Sequence, residues 1–447
     1  MPSISIVGTG YVGLSTAVCF ASRGYHVTAA THDIEKAQMI NAKRAPFYEP
    51  GLNQLLEKGI ESGTLEAIDS RDEAVLHTDA TFITVGTPEQ ADGRIDMRYV
   101  VSASEDIGRA LKKKNAYHLV VVKSTVLPGT TRDMVKPILE RTSDLHAGSD
   151  FGLCMNPEFL RQGSAIDDTL FPDRVVIGQY DAPSGQMLSD LFANFYTQSV
   201  LRLRMTLESA EMVKYASNAF LAAKISYANE MANICERVSS VDVSQVMTGV
   251  GLDPRINPKF LNAGAGFGGS CLSKDAKALR KFAEHRGYQT PLLRAALAIN
   301  DAQALHVAER ALSKLGQPQG KKVALLGLAF KPNTNDVRDA PSLKIAKALI
   351  EAGTYVSAYD PVVKKITVPG LEALECASSI PTCLAGAHCC IIVTEWEQFK
   401  ALKPDDFVKH MAEPVLIDAR RIYDPQQFRD GLTFSAVGLS DDFILYD

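Results

Sequence analysis

The stretch "SISIVGTGYVG", residues 3–13, decides how the first part of the chain folds. A short β-branched run leads directly into Gly8, Gly10 and Gly13 in the G-x-G-x-x-G spacing, and an amphipathic segment follows. Gly8 permits a tight turn, Gly10 lets the backbone approach a pyrophosphate, and Gly13 permits close packing of helix on sheet. This context predicts a βαβ unit that binds a dinucleotide at the helix N-terminus; a purely structural glycine turn is the alternative. The residues predicted to contact the cofactor here are Gly8, Gly10, Tyr11, Val12 and Gly13.

The end of the second predicted strand, in "VTAATHDIEK", departs from the usual pattern. An acidic residue is expected there to hold the ribose hydroxyls of NAD. The position holds Thr31 instead, with Asp33 two residues later, and Lys36 is placed where it could face a 2′-phosphate. We predict NAD as the cofactor because Asp33 can substitute for the missing carboxylate, and NADP stays an alternative.

Strand and helix patterns alternate on both sides of a helical middle. Apolar β-branched runs such as "DATFITVGTP" and "YHLVVVKST" belong to the first alternation, and "KKVALLGLAF" opens the second. Between them, residues 207–238 form a helical pattern rich in Ala and Met with no Pro or Gly. Strands that alternate with helices favour a parallel sheet covered on both faces. We therefore predict an α/β unit, a helical middle and a second α/β unit.

The composition excludes several classes of protein. The 447 residues carry a formal net charge of -5, so there is no basic footprint for nucleic acid or a membrane surface. The N-terminus enters a strand pattern at once and no apolar run has transmembrane length, so we expect neither a signal peptide nor a membrane span. The eight cysteines form no C-x-x-C pair and the nine histidines form no ligand pattern. We expect reduced thiols, a cytoplasmic location and no metal site.

The glycine-rich stretch "AGAGFGGSCLSKDAKAL", residues 263–279, places Cys271 directly before a predicted helix, with Lys274 and Asp275 within its first turn. A helix N-terminus and a nearby lysine both lower the pKa of a thiol, and a carboxylate near it can position water or carry protons. A thiol beside a dinucleotide can add to an aldehyde, so that the hemithioacetal loses hydride and the resulting thioester is hydrolysed. The alternative is that Cys271 merely lies in a turn.

The chain resembles the nucleotide-sugar 6-dehydrogenase family over essentially its whole length. The motifs that carry the resemblance are "GTGYVG", "FYEPGL", "KSTVLPGTT", "NPEFL", "KYASNAF", "FLNAGAGFGGSCLSKDAKAL", "LGLAFKPNTNDVRDAPSL", "AYDP" and "VTEWEQF". Each motif is weak by itself, but their order and combined presence are specific.

The resemblance implies a fold and a reaction. The fold would comprise an N-terminal NAD-binding Rossmann domain (1–200), a central helical dimerisation domain with the cysteine loop (201–310) and a C-terminal Rossmann-like domain that holds the nucleotide of the sugar donor (311–447). The reaction would be oxidation of the C6 alcohol of UDP-glucose to UDP-glucuronate, with two NAD reduced per sugar. The partners would be UDP-glucose and a second copy of the chain, as a homodimer or a larger homo-oligomer.

The resemblance also implies roles for individual residues. Cys271 would be the nucleophile, and Lys214 and Asn218, four residues apart on one helix face, would stabilise the alkoxide and oxyanion at C6. Protons and water would be organised by Asp275 and Thr125, and thioester hydrolysis by Glu158. Further cofactor contacts would come from Thr87, Thr125, Gln162, Lys274 and Arg338. Substrate contacts would come from Glu158, Phe159, Leu160, Arg161, Lys214, Asn218, Phe260, Leu261, Asn262, Ala263, Gly264, Gly268, Lys331 and, toward a neighbouring subunit, Arg255.

Two residues differ from the family pattern besides Thr31. Gln162 stands where a second glutamate is usual, so it can donate and accept hydrogen bonds but cannot take up a proton at neutral pH. Ser273 replaces a common proline, which we interpret as neutral. GDP-mannose is the second candidate substrate. A catalytically silent nucleotide-sugar sensor and a two-electron alcohol or β-hydroxyacid dehydrogenase are the alternatives of other classes.

Overall fold

The computed structural model describes residues 1–428 and 431–443. The chain divides into two compact units, of which the first is Met1–Ser217 and the second begins at Asn218. The predicted three-part division at 1–200, 201–310 and 311–447 stays a prediction.

The first unit is built on an eight-stranded sheet with the strand order β3-β2-β1-β4-β5-β6-β7-β8. Its strands are β1 (Ile4–Val7), β2 (Val27–Ala30), β3 (Leu65–Ile68), β4 (Ala80–Ile83), β5 (Leu119–Val122), β6 (Gly152–Met155), β7 (Arg174–Gln179) and β8 (Leu201–Thr206). The strands β1 to β6 pair in parallel, whereas β7 pairs antiparallel with β6 and parallel with β8. The strand order reverses between β1 and β4, which is the point where open α/β sheets bind ligands at the carboxyl ends of their strands.

Helices cover this sheet because its central strands are apolar on both faces. Every residue of β1, β4 and β5 is buried, as expected for parallel strands covered on both sides. The helices of the first unit are α1 (Tyr11–Ser22), α2 (Ile34–Asn41), α3 (Leu52–Glu61), α4 (Arg71–Leu76), α5 (Arg98–Lys113), α6 (Lys136–Ser143), α7 (Ala165–Leu170) and α8 (Ala182–Phe195). The predicted α/β architecture with a mainly parallel sheet is confirmed.

The second unit contains a wholly parallel sheet with the order β11-β10-β9-β12-β13-β14. Its strands are β9 (Lys322–Leu326), β10 (Tyr355–Tyr359), β11 (Glu375–Cys376), β12 (Cys389–Ile392), β13 (Val415–Asp418) and β14 (Thr433–Ala436). In both sheets, the first strand along the chain has the second and third strands on one side and the fourth, fifth and sixth on the other. This shared order confirms the predicted second α/β unit. Cys389 and Cys390 are fully buried in β12, where they pack in the hydrophobic core.

The helical middle is dominated by one helix of 29 residues, α9 (Leu207–Cys235), within which the boundary between the units falls. The other helices of the second unit are α10 (Val243–Gly251), α11 (Leu272–His285), α12 (Pro291–Leu315), α13 (Pro341–Glu351), α14 (Ile380–Leu384), α15 (Glu397–Lys400), α16 (Pro404–His410) and α17 (Pro425–Phe428). The predicted long helix is confirmed.

A buried carboxylate fastens the start of α9 to the segment that follows β5. Glu211 accepts hydrogen bonds from the backbone N–H of Gly129 at 2.6 Å and of Thr131 at 2.8 Å, and from the Thr131 hydroxyl at 2.6 Å. Burial raises the pKa of Glu211 to about 7, although these hydrogen bonds lower it. Since the folded pKa exceeds the ordinary value of 4.5, the folded state binds this proton more tightly than the unfolded chain.

The first prediction concerns this carboxylate. The stability that comes from its proton is complete below the ordinary pKa and is lost as the pH rises through about 7. Urea unfolding of wild type and Glu211→Gln at several pH values should therefore show a loss of stability toward pH 8 in wild type that the glutamine variant lacks. At neutral pH the variant should also be weaker by about 1–3 kcal/mol, because its amide nitrogen would face N–H donors.

The matched control is Glu208→Gln, one turn earlier on α9. Glu208 pairs with Arg132, and that contact lowers its pKa, so its pH dependence lies on the acid side. Parallel stability curves for wild type and Glu211→Gln between pH 6 and 8 would refute the role given to Glu211.

Candidate active site

The glycine loop after β1 has the geometry of a phosphate-binding turn. Gly8 adopts a φ of +108°, and a Cβ at Gly13 would lie 1.8 Å from the carbonyl oxygen of Gly8, so both positions need glycine. Gly10 is the N-cap of α1 with no side-chain cap, and a Cβ there would meet no protein atom within 4 Å. The uncapped first turn of α1 and the open space over Gly10 fit a dinucleotide pyrophosphate.

Tyr11, the first residue of α1, is held by Glu49, which sequence reasoning missed. The Tyr11 hydroxyl donates to the buried Glu49 carboxylate, which also accepts the N–H groups of Gly163 and Ala165, each at 2.7 Å. Burial, followed by the bond to Glu49, raises the pKa of Tyr11 well above its ordinary value. Glu49 thus ties the segment around residue 163 to the start of α1. Its only signal was its place in "FYEPGL", a motif to which no role was attached.

The end of β2 shows how Thr31 and Asp33 are used. Thr31 follows the strand and is buried, and its hydroxyl accepts the N–H of Asp33 at 3.2 Å. Asp33 caps α2 by accepting the N–H of Lys36 at 3.0 Å. One carboxylate oxygen of Asp33 is therefore engaged in capping, and its contact with ribose stays a prediction.

Glu158 and Lys214 form a buried ion pair in the first unit. Their Oε1 and Nζ atoms are 2.8 Å apart, and the two side chains are 8% and 5% exposed. The other oxygen of Glu158 accepts the N–H of Leu160 at 2.6 Å. Burial raises the pKa of Glu158, but the Lys214 charge and hydrogen bond, the Leu160 N–H and the Lys123 charge together bring it below its ordinary value. Glu158 is therefore ionised at neutral pH, and it holds the Lys214 side chain in place.

A second lysine, Lys123, belongs to this cluster and was also missed. It follows β5 directly, and its Nζ donates to Oδ1 of Asn156 at 2.8 Å. Burial, together with the like charge of Lys214, lowers the pKa of Lys123 to about 8, while Glu158 opposes the shift. The only sequence signal was a lysine at the end of a run of buried valines.

The remaining predicted residues of the first unit surround this cluster. The hydroxyl of Thr87 donates to the carbonyl of Thr125 at 3.0 Å. The ring of Phe159 lies 4.1 Å from the Arg174 guanidinium and 5.6 Å from Lys214 Nζ. Among the other predicted contacts, Leu160 and Gln162 are half-buried, and the exposed Arg161 pairs with Asp168 at 2.6 Å.

In the second unit, Cys271 is the N-cap of α11 and is exposed. All eight cysteines are free, as predicted, and Cys271 alone is exposed. Burial raises the pKa of Cys19, for example, to about 12. Cys271 is thus the accessible thiol, and it lies at a helix N-terminus, which stabilises a thiolate.

Asp275 organises the first turn of α11. It is 1% exposed. Its Oδ1 accepts Lys274 Nζ at 2.7 Å, and its Oδ2 accepts Asn218 Nδ2 at 2.6 Å. Its N–H donates to the carbonyl of Cys271 at 2.9 Å. Asp275 therefore orients the Asn218 amide. Lys274, which was predicted to contact the cofactor, binds this carboxylate.

Arg338 lies beside the cysteine loop, a proximity that the sequence did not reveal. Its carbonyl accepts the N–H of Gly269 at 2.8 Å, and its side chain pairs with Asp336 at 2.6 Å. The hydrogen bond to Asp336 raises the pKa of Arg338, and the negative charge available on Cys271 adds to this. Arg338 thus stabilises the thiolate form of Cys271. Its predicted contact with the cofactor stays a prediction.

The glycines of the cysteine loop have a packing role within the second unit. A Cβ at Gly264 would lie 2.9 Å from the carbonyl oxygen of Ala419, and one at Gly268 would lie 2.5 Å from that of Asp339. These contacts account for glycine at both positions without a ligand.

The other predicted substrate residues of this unit differ in exposure. Leu261 and Ala263 are buried in the hydrophobic core, whereas Phe260 and Asn262 are exposed. Arg255 is 88% exposed and pairs with Asp253 at 2.6 Å. Lys331 is half-buried, with Nζ 5.7 Å from the ring centre of Phe330.

The described residues hold no group of three or more His, Cys, Asp and Glu side chains arranged to bind a metal ion. Across the helices of residues 1–428 and 431–443, we find none with the length and apolarity needed to cross a membrane.

The fold and the glycine loop define a dehydrogenase-type nucleotide-binding protein. Residues 2–196, 208–302 and 324–425 match the NAD binding, central and UDP binding domains of the UDP-glucose/GDP-mannose dehydrogenase family, respectively. The chain belongs to this family. The predictions of an NAD-dependent oxidoreductase and of NAD as its cofactor are thereby confirmed.

Similar proteins support the assignment. UDP-glucose 6-dehydrogenase AglM of Haloferax volcanii is 40% identical over 97% of this chain and 99% of its own length. UDP-glucose 6-dehydrogenase TuaD of Bacillus subtilis is 39% identical over 98% of this chain and 93% of its own. The structure of a UDP-glucose dehydrogenase from Pyrobaculum islandicum is similar with a TM-score of 0.90 and 37% identity, covering 98% of each chain.

The glycine loop generates the second prediction. In Gly13→Ala the new methyl group would collide with the Gly8 carbonyl, so we expect a lower melting temperature and no NADH binding. In Gly10→Ala the fold should be unchanged because the space is free, but NADH should bind at least about tenfold more weakly if the pyrophosphate crosses Gly10. Thermal melting and NADH fluorescence titration measure both effects. Unchanged affinity in Gly10→Ala would place the pyrophosphate elsewhere.

Proposed function

We propose that the chain oxidises the C6 alcohol of UDP-glucose to the carboxylate of UDP-glucuronate, with two NAD reduced and one water consumed per sugar. The observation that carries the proposal is the exposed Cys271 at the N-terminus of α11, next to the buried Asp275, which holds Asn218 and Lys274. The UDP binding domain model and the names of the relatives support the choice of UDP-glucose.

The first oxidation converts the alcohol to an aldehyde. The C6 hydroxyl loses a proton to solvent and C6 loses a hydride; bound NAD would supply the hydride acceptor for this step and for the second oxidation. The developing negative charge on the C6 oxygen requires positive groups that are already in place. Lys214, held by Glu158, and Asn218, held by Asp275, are fixed donors of this kind, one helical turn apart on α9.

The second oxidation uses the thiol. The Cys271 thiolate bonds to the aldehyde carbon, and the oxygen takes a proton, which gives a hemithioacetal. Loss of hydride from C6 and of the hydroxyl proton then gives a thioester. Arg338 and the N-terminus of α11 favour the thiolate that starts this step.

Hydrolysis of the thioester requires a base for the attacking water. We assign this role to Glu158 because it is ionised and buried, so its carboxylate can accept a proton within the site. Water bonds to the acyl carbon, the C–S bond breaks, and the sulfur leaves as the thiol or thiolate of Cys271. Gln162 provides hydrogen bonds but no second base.

The other candidates make different demands on the residues. GDP-mannose would use the same chemistry and stays the second candidate substrate. A two-electron dehydrogenase would not need Cys271, and a sensor would need neither the thiol nor the fixed lysine. The presence of all these groups favours the four-electron oxidation.

We also propose a homodimer or larger homo-oligomer in the cytoplasm. Within the second unit, α9 exposes Phe220, Tyr227 and Ile234 at intervals of seven residues, and these residues are 65%, 46% and 51% exposed. An exposed apolar stripe with this spacing is typical of a helix that packs against another helix.

The third prediction is the yield of NADH per sugar. With UDP-glucose limiting and the reaction run to completion, wild type should form two NADH per sugar, and Cys271→Ala should lose the acid product because no thioester can form. Cys376→Ala is the matched control, since this partly buried cysteine lies in β11, and it should retain the full yield. NADP in a parallel assay should support much less turnover than NAD.

Each other outcome favours another function. One NADH per sugar that the Cys271 substitution does not change would indicate a simple alcohol dehydrogenase. Reduction of NAD with GDP-mannose but not with UDP-glucose would change the substrate. No reduction with either sugar would favour the sensor.

The fourth prediction concerns Gln162. If the missing second carboxylate limits hydrolysis, Gln162→Glu should speed decay of the acyl-enzyme, while the rate of the first hydride transfer stays unchanged. Rapid-quench trapping of the thioester measures this directly. An equal decay rate in both proteins would mean that Glu158 alone suffices.

A further inference from the structure

Lys123 and Asn156 are brought together by the register of the first sheet. In the pairing of β5 with β6, Val122 lies opposite Met155, and these are the last residues of the two strands. Lys123 and Asn156 follow them directly. Both therefore lie at the carboxyl edge of the sheet. The N–H of Asn156 donates to the carbonyl of Val122 at 2.8 Å, which fixes the spacing between the two loops.

The Asn156 amide is oriented so that its oxygen faces the lysine. Its Nδ2 donates to the carbonyl of Val176 in β7 at 2.8 Å, and its Oδ1 accepts Lys123 Nζ at 2.8 Å. Asn156 is only 3% exposed. A buried amide whose two ends are both engaged holds the lysine in one place.

Lys123 adds a second positive charge to a cluster that contains one carboxylate. Glu158 pairs directly with Lys214 at 2.8 Å, while Lys123 is hydrogen-bonded to a neutral amide. The charges of both lysines favour the ionised form of Glu158. With both lysines charged, these three side chains carry a net charge of +1, which favours a developing alkoxide and opposes protonation of Glu158.

We propose that Lys123, held by the amide oxygen of Asn156, is a positioning residue of the oxidation: its positive charge favours the ionised form of Glu158, which holds Lys214 in place, and adds to the positive field at the developing alkoxide. The inference rests on the proposed function and adds a residue to it. When Glu158 takes a proton from the attacking water, two ammonium groups face a neutral acid. Lys123 therefore also favours the return of that proton to solvent after hydrolysis.

The proposal determines how the pH profile should respond. Loss of the Lys123 charge would raise the pKa of Glu158, so in Lys123→Met the acid limb of kcat should move to higher pH by about one unit. Glu158 stays ionised at neutral pH in both proteins, so kcat should fall there only because one positive charge near the developing alkoxide is lost, with little change in the KM for UDP-glucose. Burial places the pKa of Lys123 near 8, so kcat of wild type should decline above that pH.

Lys123→Arg separates charge from shape. A guanidinium keeps its charge at all accessible pH values. In this variant the acid limb should stay at the wild-type position, and the decline of kcat above about pH 8 should move to higher pH. A purely structural lysine would give neither effect, because substitution would lower the melting temperature without shifting either limb.

The matched control is Lys114→Met. Lys114 is another partly buried lysine of the first unit, and its Nζ donates to the carbonyls of Val75 at 2.7 Å and Leu76 at 3.0 Å. Its loss should lower the melting temperature and leave both limbs of the pH profile in place. If Lys123→Met fails to fold, the alkaline limb of Lys123→Arg carries the test.

A second measurement does not depend on turnover. In protein labelled with [ε-¹³C]lysine, one NMR resonance should titrate near pH 8 and be absent from Lys123→Arg. If the resonance lost in Lys123→Arg instead belongs to an amine that is already neutral at pH 7, the proposal fails. If wild type forms no NADH from UDP-glucose, the proposed function fails even where this resonance is present. If wild type turns over but Lys123→Met keeps both limbs of its profile, the role of Lys123 alone is overturned.

Discussion

The ion pair between Glu158 and Lys214 is the constraint on which the candidate site residues of the first unit depend. Removing one partner of such a buried pair costs about 3–5 kcal/mol, because the other charge is left uncompensated. The pair therefore fixes the loop after β6 to α9. Glu211, three residues before Lys214, fixes the same helix to the segment after β5. The contacts made by Glu211 and by Lys214, which lie one helical turn apart, together fix the rotation of α9 about its axis. They also fix the direction in which the Lys214 side chain points.

The residues around Cys271 in the second unit follow a complementary rule. Asp275 is a buried carboxylate that accepts from Lys274 and Asn218, so the charges near Cys271 are balanced before any substrate is present. The N-terminus of α11 then favours a thiolate, and the charge of Arg338, which is paired with Asp336, adds to this. In both units a carboxylate orients a donor to which the proposed function assigns a role: Glu158 holds Lys214, and Asp275 holds Asn218. The donors are preorganised because their partners are buried and cannot turn toward water.

The sequence was a sufficient guide where the signal is local. The strand followed by Gly8, Gly10 and Gly13 predicted the cofactor loop, and the helix N-cap at Cys271 followed from "GGSCLSKD". It was insufficient where a role depends on pairing between distant segments. Lys123 gains its partner only because β5 and β6 are neighbours, and Glu49 gains its role from the backbone near residue 163. A lysine after four apolar residues and a glutamate before a proline have no periodicity that could reveal such contacts.

The two sheets show how far topology alone determines a binding site. The first strand of each sheet, β1 or β9, is followed by a glycine at positive φ, Gly8 at +108° and Gly327 at +106°. Each glycine packs against a threonine that follows the neighbouring strand, Thr84 after β4 and Thr394 after β12. The first unit has Thr31, and no carboxylate, directly after its second strand, whereas the second unit has Asp360 directly after β10. However, Asp360 accepts the backbone N–H groups of Leu328, Ala329, Val362 and Val363 and the indole N–H of Trp396. Five donors from the protein already engage this carboxylate, so it serves loop structure. The same strand order thus supports two nucleotide sites with different chemistry, because the loops at the strand ends decide which groups are free to bind.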